Sequence, residues 1–270
     1  MTPPSYVTAL LAVFAFCTAR CWALSAPSSQ HYMGGANQLP FEFRAATVDD
    51  MDDIATVYVE AFSAAPAWRY IHQFEDDYPG YTWHCLRDTL RDIFEGKLPG
   101  HDATYRVIAV PDETAESGSR VVSASVWEFN KTSQDDNPPH MAWPYHSDSW
   151  ANCSAHLDLN MTRTEHFLRQ GQEAEKKYLD DVYDRQDYLA LLATHPKWDG
   201  NGFAAVHLEW GMALADETAT PTTLYATTAG HPLYKSVGFR DVYNVTIDRL
   251  DGKGIIWHEI MVHLLGDTEL

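Results

Sequence analysis

Basic residues are scarce in this chain. Against 38 Asp and Glu stand 19 Lys and Arg, a formal net charge of −19. That balance excludes an ordinary nucleic-acid surface, which needs clustered cations to displace counterions from phosphates. It also argues against a polyanionic substrate and favours a neutral or cationic one. Cysteine is equally sparse: Cys17, Cys21, Cys85 and Cys153 are too few for a disulfide-built fold. The first two lie in an N-terminal apolar segment. Cys85 and Cys153 either pair or stay as thiols, and buried thiols are the expectation because free Cys is among the most buried residue types. No apolar run reaches the roughly 20 residues of a membrane-spanning helix, so stable membrane insertion is not expected. Gly-x-Ser-x-Gly, Gly-x-x-x-x-Gly-Lys-Ser/Thr and His-Glu-x-x-His are all missing, which removes three common hydrolase and phosphate-loop chemistries. His140, His146, Asp135, Asp136 and Asp148 share one stretch with Cys153 and His156. Without paired ligand spacing they read as a long loop, and no metal is expected.

What is present is enough for one folded domain. Hydrophobic residues make up 45% and charged residues 21% of 270, which excludes wholesale disorder. Residues 1–40 divide into a signal-like apolar segment, Tyr6 to Thr18 with cleavage sites after Ala23 or Ala26, and a Ser/Pro/Gly-rich linker. The n-region carries no Lys or Arg, and Met33 is an alternative start. Residues 41–270 form the domain, with an inserted loop and helix at about 131–184. Asn130, Asn152, Asn160 and Asn244 each open an Asn-x-Ser/Thr triplet; several are expected inside packed elements.

Periodicity supplies the elements. Phe41 to Ala45 alternates as a strand. Thr47 with Asp50 forms a capping box before a helix to Phe62, which Ser63 to Pro66 ends. Trp68 to Tyr81 reads as an aromatic, acidic loop, and Trp83, Leu86, Leu90 and Ile93 mark a second helix. Tyr105 to Val110 and Val121 to Phe129 suit adjacent antiparallel strands. Thr162 with Glu165 reads as a capping box, and Phe167, Gly171, Ala174, Tyr178 and Val182 as one apolar helix face. Thr222 to Thr227, Phe239 to Asp248 and Gly254 to Leu264 are strands, with a short helix at His231 to Val237. His258 and His263 read as tolerated strand residues.

The organising stretch is Tyr188 to Ala205: an apolar strand ended by Pro196, a turn carrying Gly200 and Gly202, then a helix on Phe203, Val206, Trp210 and Leu214. Unpaired amides at such a helix start suit an anionic group, although a plain structural turn uses the same glycines. Two features together carry a resemblance. Asp199-Gly200-Asn201-Gly202-Phe203-Ala204 is similar to the acyl-CoA-binding pattern Gln/Arg-x-x-Gly-x-Gly/Ala of the GCN5-related N-acetyltransferase superfamily, with Asp199 standing where that family has Gln or Arg. Gly230 to Phe239, containing Leu233-Tyr234 and Gly238-Phe239, resembles the family's Leu-Tyr-x-x-x-Gly-Phe element. The resemblance covers roughly Phe41 onward. It implies an α/β fold: a mixed, mostly antiparallel, twisted sheet with helices on both faces, split beside the central strand. It further implies acetyl-CoA as cosubstrate and transfer of an acetyl group to the amine of a small molecule. Backbone groups of Leu192, Ala193 and Thr194 would hold the pantetheine arm, and the amides of Gly200, Asn201, Gly202, Phe203 and Ala204 the pyrophosphate. Tyr234 matches the tyrosine that protonates the departing sulfur, and the first helix pair with its loop walls the acceptor side.

The base is not evident. Several relatives carry a Glu on the central strand where this chain has Tyr188 beside Asp187; Glu60, Asp76 and Asp77 are the other acidic candidates. A non-catalytic acyl-CoA binder and a secreted, glycosylated interaction protein on the same fold stay open as alternatives. Cofactor supply favours the cytosol, the apolar segment and the triplets the secretory route; the cytosol is the expectation. Nothing in the sequence fixes an oligomeric state.

Overall fold

The computed structural model describes residues 30–32, 39–97, 103–132, 145 and 152–264. The signal-like segment and most of the His- and Asp-bearing loop before Asn152 lie outside them. Among the described residues one eight-stranded sheet runs in the order β1-β2-β3-β4-β5-β6-β8-β7. The strands are β1 (Gln30–Tyr32), β2 (Phe41–Ala45), β3 (Thr104–Pro111), β4 (Ser119–Thr132), β5 (Arg185–Thr194), β6 (Thr222–Thr227), β7 (Arg240–Asp248) and β8 (Ile255–His263). Every neighbouring pair is antiparallel except β5 and β6. That parallel pair needs a crossover, supplied by α5 (Phe203–Thr218). The expected fold class is therefore the observed one, with one addition: Gln30 to Tyr32, read as linker, pairs with Phe41 to Phe43.

Alternation within the strands assigns the two faces. On β3, Tyr105, Val107 and Ala109 join the core beneath α1 (Met51–Phe62) and α3 (Tyr81–Phe94). Ile108 and Val110 point the other way, into a cluster with Phe43, Val122 and Phe203 under α5. A strand buried on both faces explains the near-continuous apolar runs. The Arg106 guanidinium lies 4.4 and 4.7 Å from the ring centroids of Phe43 and Trp210, so this buried cation is held by π-faces. At Gly211, α5 lies so close to Trp127 that a Cβ would overlap the indole.

Local signals explain the helix starts. The Thr47–Asp50 box is formed, and Asp50 also accepts a forked pair from Arg44 at 2.7 Å. Pro66, read as a helix breaker, instead opens α2 (Pro66–Ile71) at its first turn, where the missing N–H costs nothing. The helix α4 (Met161–Glu175) is capped by Asn160, whose Oδ1 accepts from the Arg163 amide at 3.1 Å; Thr162 lies inside the helix, two residues too late to cap it. After Glu175 the helix continues as a π turn, Lys176–Asp180, which rotates the expected face and leaves Val182 60% exposed. Of the four triplet asparagines, Asn130, Asn152 and Asn244 are exposed, and only Asn160 is half-buried.

Cys85 and Cys153 form a disulfide, against the expectation of thiols. Cys85 sits on the buried side of α3, and Cys153 in a single turn before α4, 5.4 Å away between Cα atoms. That is ordinary bridging distance, created by the fold between residues 68 apart in sequence. Around the bridge, Asp158 is fully buried and accepts from Thr82 Oγ1 at 2.7 Å and from Tyr145 Oη at 2.6 Å. The Phe74 amide donates to the Asp158 carbonyl and the Asn160 amide to that of Ile71. The segment before α4 is thus stitched onto α2 and α3.

Two expectations follow. Gly211→Ala should lower unfolding free energy by about 1–3 kcal/mol in denaturant titrations, because the added methyl displaces a buried indole. Cys85→Ser should cost about 2–4 kcal/mol by the same measurement, and non-reducing peptide mass spectrometry of the parent chain should recover the Cys85–Cys153 cross-link.

Candidate active site

The site begins with a shortage of backbone partners. β5 pairs with β6 at only three positions, Asp187↔Thr222, Tyr188↔Thr223 and Leu189↔Leu224. Beyond them β5 stays with β4, through Leu191↔Val126 to Thr194↔Ser123, while β6 stays with β8 through Thr227↔His258. Ala190 is the extra residue of a bulge: Leu189 opposes Trp127 and Leu191 opposes Val126. A bulge bends its strand and sharpens its twist, here at the residue where β5 leaves β6. The facing edges of Ala190 to Thr194 and of Tyr225 to Thr227 therefore line an open wedge.

Leu192, Ala193 and Thr194 lie on that free edge. Ser123 Oγ donates to the Ala193 carbonyl at 2.9 Å and meets Thr194 Oγ1 at 2.9 Å, fixing the strand's far end from the β4 side. Pro196 to Trp198 then make a short 3-10 turn, as the proline dictates. Gly200 and Gly202 adopt φ of +79° and +77°, a region that side chains disfavour, and no atom crowds either Cα. Asn201 Nδ2 donates to the Trp198 carbonyl at 2.8 Å, closing the loop on itself. The first amide of α5 with an acceptor is that of Ala205, to the Gly202 carbonyl. Among the described residues the amides of Gly200, Asn201, Gly202, Phe203 and Ala204 have none. They stand at the positive end of a 16-residue helix, and Phe203, edge-on to Phe41 at 5.2 Å, anchors its first turn in the core. The carboxylate of Asp199 is exposed at the entrance to this loop.

Tyr234 comes from α6 (His231–Ser236). Its ring packs in one cluster with Leu189 and Leu208 from the β5–α5 side and Leu224 and Ala226 of β6, behind the wedge. The ring is edge-on to Phe239 at 5.7 Å. Burial pushes its phenol above the ordinary tyrosine value, which keeps the proton in place near neutrality. Gly230 is needed there because a Cβ would press on the Tyr234 ring.

The other acidic candidates separate cleanly. Glu60, Asp76 and Asp77 are exposed. Asp187 accepts from the Asn130 amide at 2.8 Å. Tyr188 is buried, and its hydroxyl donates to Glu175 Oε1 at 2.8 Å. Glu175 escaped the sequence reading, although it follows Gly171 by four residues on an otherwise apolar face, a position where a charge is out of place. His258 is buried and stacked on Tyr225 at 4.8 Å, with burial pushing it down to about 4. Among the described residues no group of three or more His, Cys, Asp or Glu could hold a metal ion, and no helix is long and apolar enough to cross a membrane.

No family model matches the chain. A curated relative, an acetyltransferase from Stachybotrys chartarum, is 23% identical over 206 residues, which are 74% of this chain and 81% of the relative. Among solved structures, an agmatine N-acetyltransferase superposes with a TM-score of 0.53 at 14% identity, covering 83% of this chain and 99% of that one. A polyamine N-acetyltransferase from Drosophila melanogaster gives 0.51 at 14% identity over 83% and 100%. A putative arylalkylamine N-acetyltransferase from the yellow fever mosquito gives 0.51 at 13% identity over 84% and 88%. With both sequence motifs placed on either side of the β5–β6 wedge, the chain has the fold of the GCN5-related N-acetyltransferase superfamily.

Proposed function

We propose that the chain is an acetyl-CoA-dependent N-acetyltransferase that acylates the amine of a small molecule. The observation that carries this reading is the wedge with its loop: a free strand edge leading to five unsatisfied amides at a helix start. An extended amide-bearing arm ending in a pyrophosphate has the hydrogen-bonding complement of that surface. Leu192, Ala193 and Thr194 would hold the arm by their main chain, and Gly200, Asn201, Gly202, Phe203 and Ala204 the phosphates. Tyr234, kept protonated by burial, is the donor for the departing thiolate. The names of the relative and of the structural neighbours support acetyl transfer to amines, and the formal charge of −19 favours a cationic acceptor.

Asp199 favours a second reading, a non-catalytic acyl-CoA binder, because a carboxylate at the loop entrance repels phosphates. The two separate on turnover. Calorimetry with acetyl-CoA should show binding, and thiol release across a panel of amines should show turnover with at least one; a chain that binds but never turns over is the binder. Tyr234→Phe is expected to lower kcat roughly a hundredfold with acetyl-CoA affinity unchanged. Loss of affinity instead would make Tyr234 a packing residue. Asp199→Asn should tighten acetyl-CoA binding about threefold in the same calorimeter, the size of an exposed charge interaction.

A further inference from the structure

The inserted helix carries a carboxylate to the root of the wedge. Glu175, the last residue of α4, is 9% exposed, and its Oε1 accepts from Tyr188 Oη at 2.8 Å. Tyr188 is the middle residue of the three that pair with β6, one step before the strands part. Tyr225 is the first β6 residue past the last pair. It packs in the same cluster as Tyr188 and the bulged Ala190, and its hydroxyl is buried without a hydrogen-bond partner among the described residues. One buried space thus holds Glu175, a tyrosine from the paired root of β5 and a tyrosine from the β6 lip of the wedge.

The backbone is distorted at this point. The π turn that starts right after Glu175 brings Asp180 to Lys131 Nζ at 3.2 Å and to Gln186 Nε2 at 2.8 Å. Lys131 Nζ in turn lies 4.7 Å from the centroid of the Tyr188 ring. Single π turns within helices are frequent at functional sites. A tether for the inserted helix could be built from a neutral amide at lower desolvation cost, so the choice of a buried carboxylate calls for another reason.

We infer that Glu175, acting through Tyr188, takes up the proton that the acceptor amine loses during acyl transfer. This rests on the acyltransferase reading above. The amine lone pair forms the C–N bond to the thioester carbonyl carbon, and the C–S bond breaks with its electron pair on sulfur. One N–H proton passes to Tyr188 Oη as the Tyr188 proton passes to Glu175 Oε1. The thiolate takes the proton of Tyr234 Oη, and the proton on Glu175 returns through water to the Tyr234 phenolate. The sum is amine plus thioester giving amide plus thiol. On this assignment Tyr188 is the group that would meet the amine at the root of the wedge, and Glu175 is the positioning residue behind it.

The groups facing Glu175 set the sign of the pH dependence. Asp180 lies on the π turn, Lys131 and Glu128 on β4, Tyr188 on β5, Tyr225 on β6, and His258 on β8 against Tyr225. Burial raises the Glu175 carboxyl from its ordinary value, opposed by Lys131 and by the Tyr188 hydrogen bond. The working form is the carboxylate, so kcat must rise with pH through one ionisation above the ordinary glutamate value and then level off. His258, held down to about 4, does not supply that ionisation.

The test uses the full chain, acetyl-CoA and the best amine of the panel. Glu175→Gln keeps an acceptor for the Tyr188 hydroxyl. It should leave thermal unfolding and acetyl-CoA affinity unchanged, lower kcat about a hundredfold and abolish the acidic limb of the pH profile. Glu175→Asp should restore part of the rate, and Tyr188→Phe should lose the same limb. A Glu175→Gln chain with the parent's rate and profile would overturn the assignment and leave Glu175 a tether. Should that variant not fold, a parent kcat with no acidic limb above the ordinary glutamate value would overturn it equally. A parent chain that binds no acetyl-CoA, or turns over no amine, would overturn the acyltransferase reading itself and this inference with it.

Discussion

Everything distinctive about this molecule depends on two parallel strands that stop pairing after three residues. A sheet interior normally satisfies every main-chain amide and carbonyl, and unmade hydrogen bonds there cost more than most contacts return. β5 and β6 tolerate the parting because each keeps its outer neighbour, and the Ala190 bulge turns β5 away at the required residue. The open groups are then a surface awaiting an extended polar chain. The glycine-bearing loop continues the same theme, with amides left open in a region whose backbone conformation few side chains share.

Much of this was legible in the sequence, for reasons that are local. Pro196 must end a strand, Gly200 and Gly202 permit a left-handed turn, and Phe203 with Val206 and Trp210 declares a helix face. Tyr234 could be placed beside the wedge because the second motif follows the first after one helix and one strand. Less was legible where the deciding partner is distant. The bulge at Ala190 depends on the register with β4, which no periodicity reveals. The Cys85–Cys153 bridge depends on where α3 meets a turn 68 residues later. Pro66 and Thr162 illustrate a nearer ambiguity: a proline both ends and begins helices, and a capping pattern competes with the asparagine two residues before it.

The insertion between β4 and β5 is best understood through its buried polar contacts. Asp158 binds its leading segment to α2 and α3, and Glu175 binds its helix to the central strand. A segment held only by apolar packing could slide; these hydrogen bonds fix it at two separate points. Disulfides such as the one beside Asp158 persist in oxidising surroundings, which sets the bridge against the cytosolic expectation drawn from cofactor supply.

The strand order has a temporal meaning as well. β8 follows β7 in the chain but lies between β6 and β7 in the sheet. During synthesis, β6 emerges with β5 touching only its first three residues, and its other edge stays bare until β8 arrives. One lip of the wedge therefore gains its outer neighbour only after the glycine loop and its helix have been synthesised.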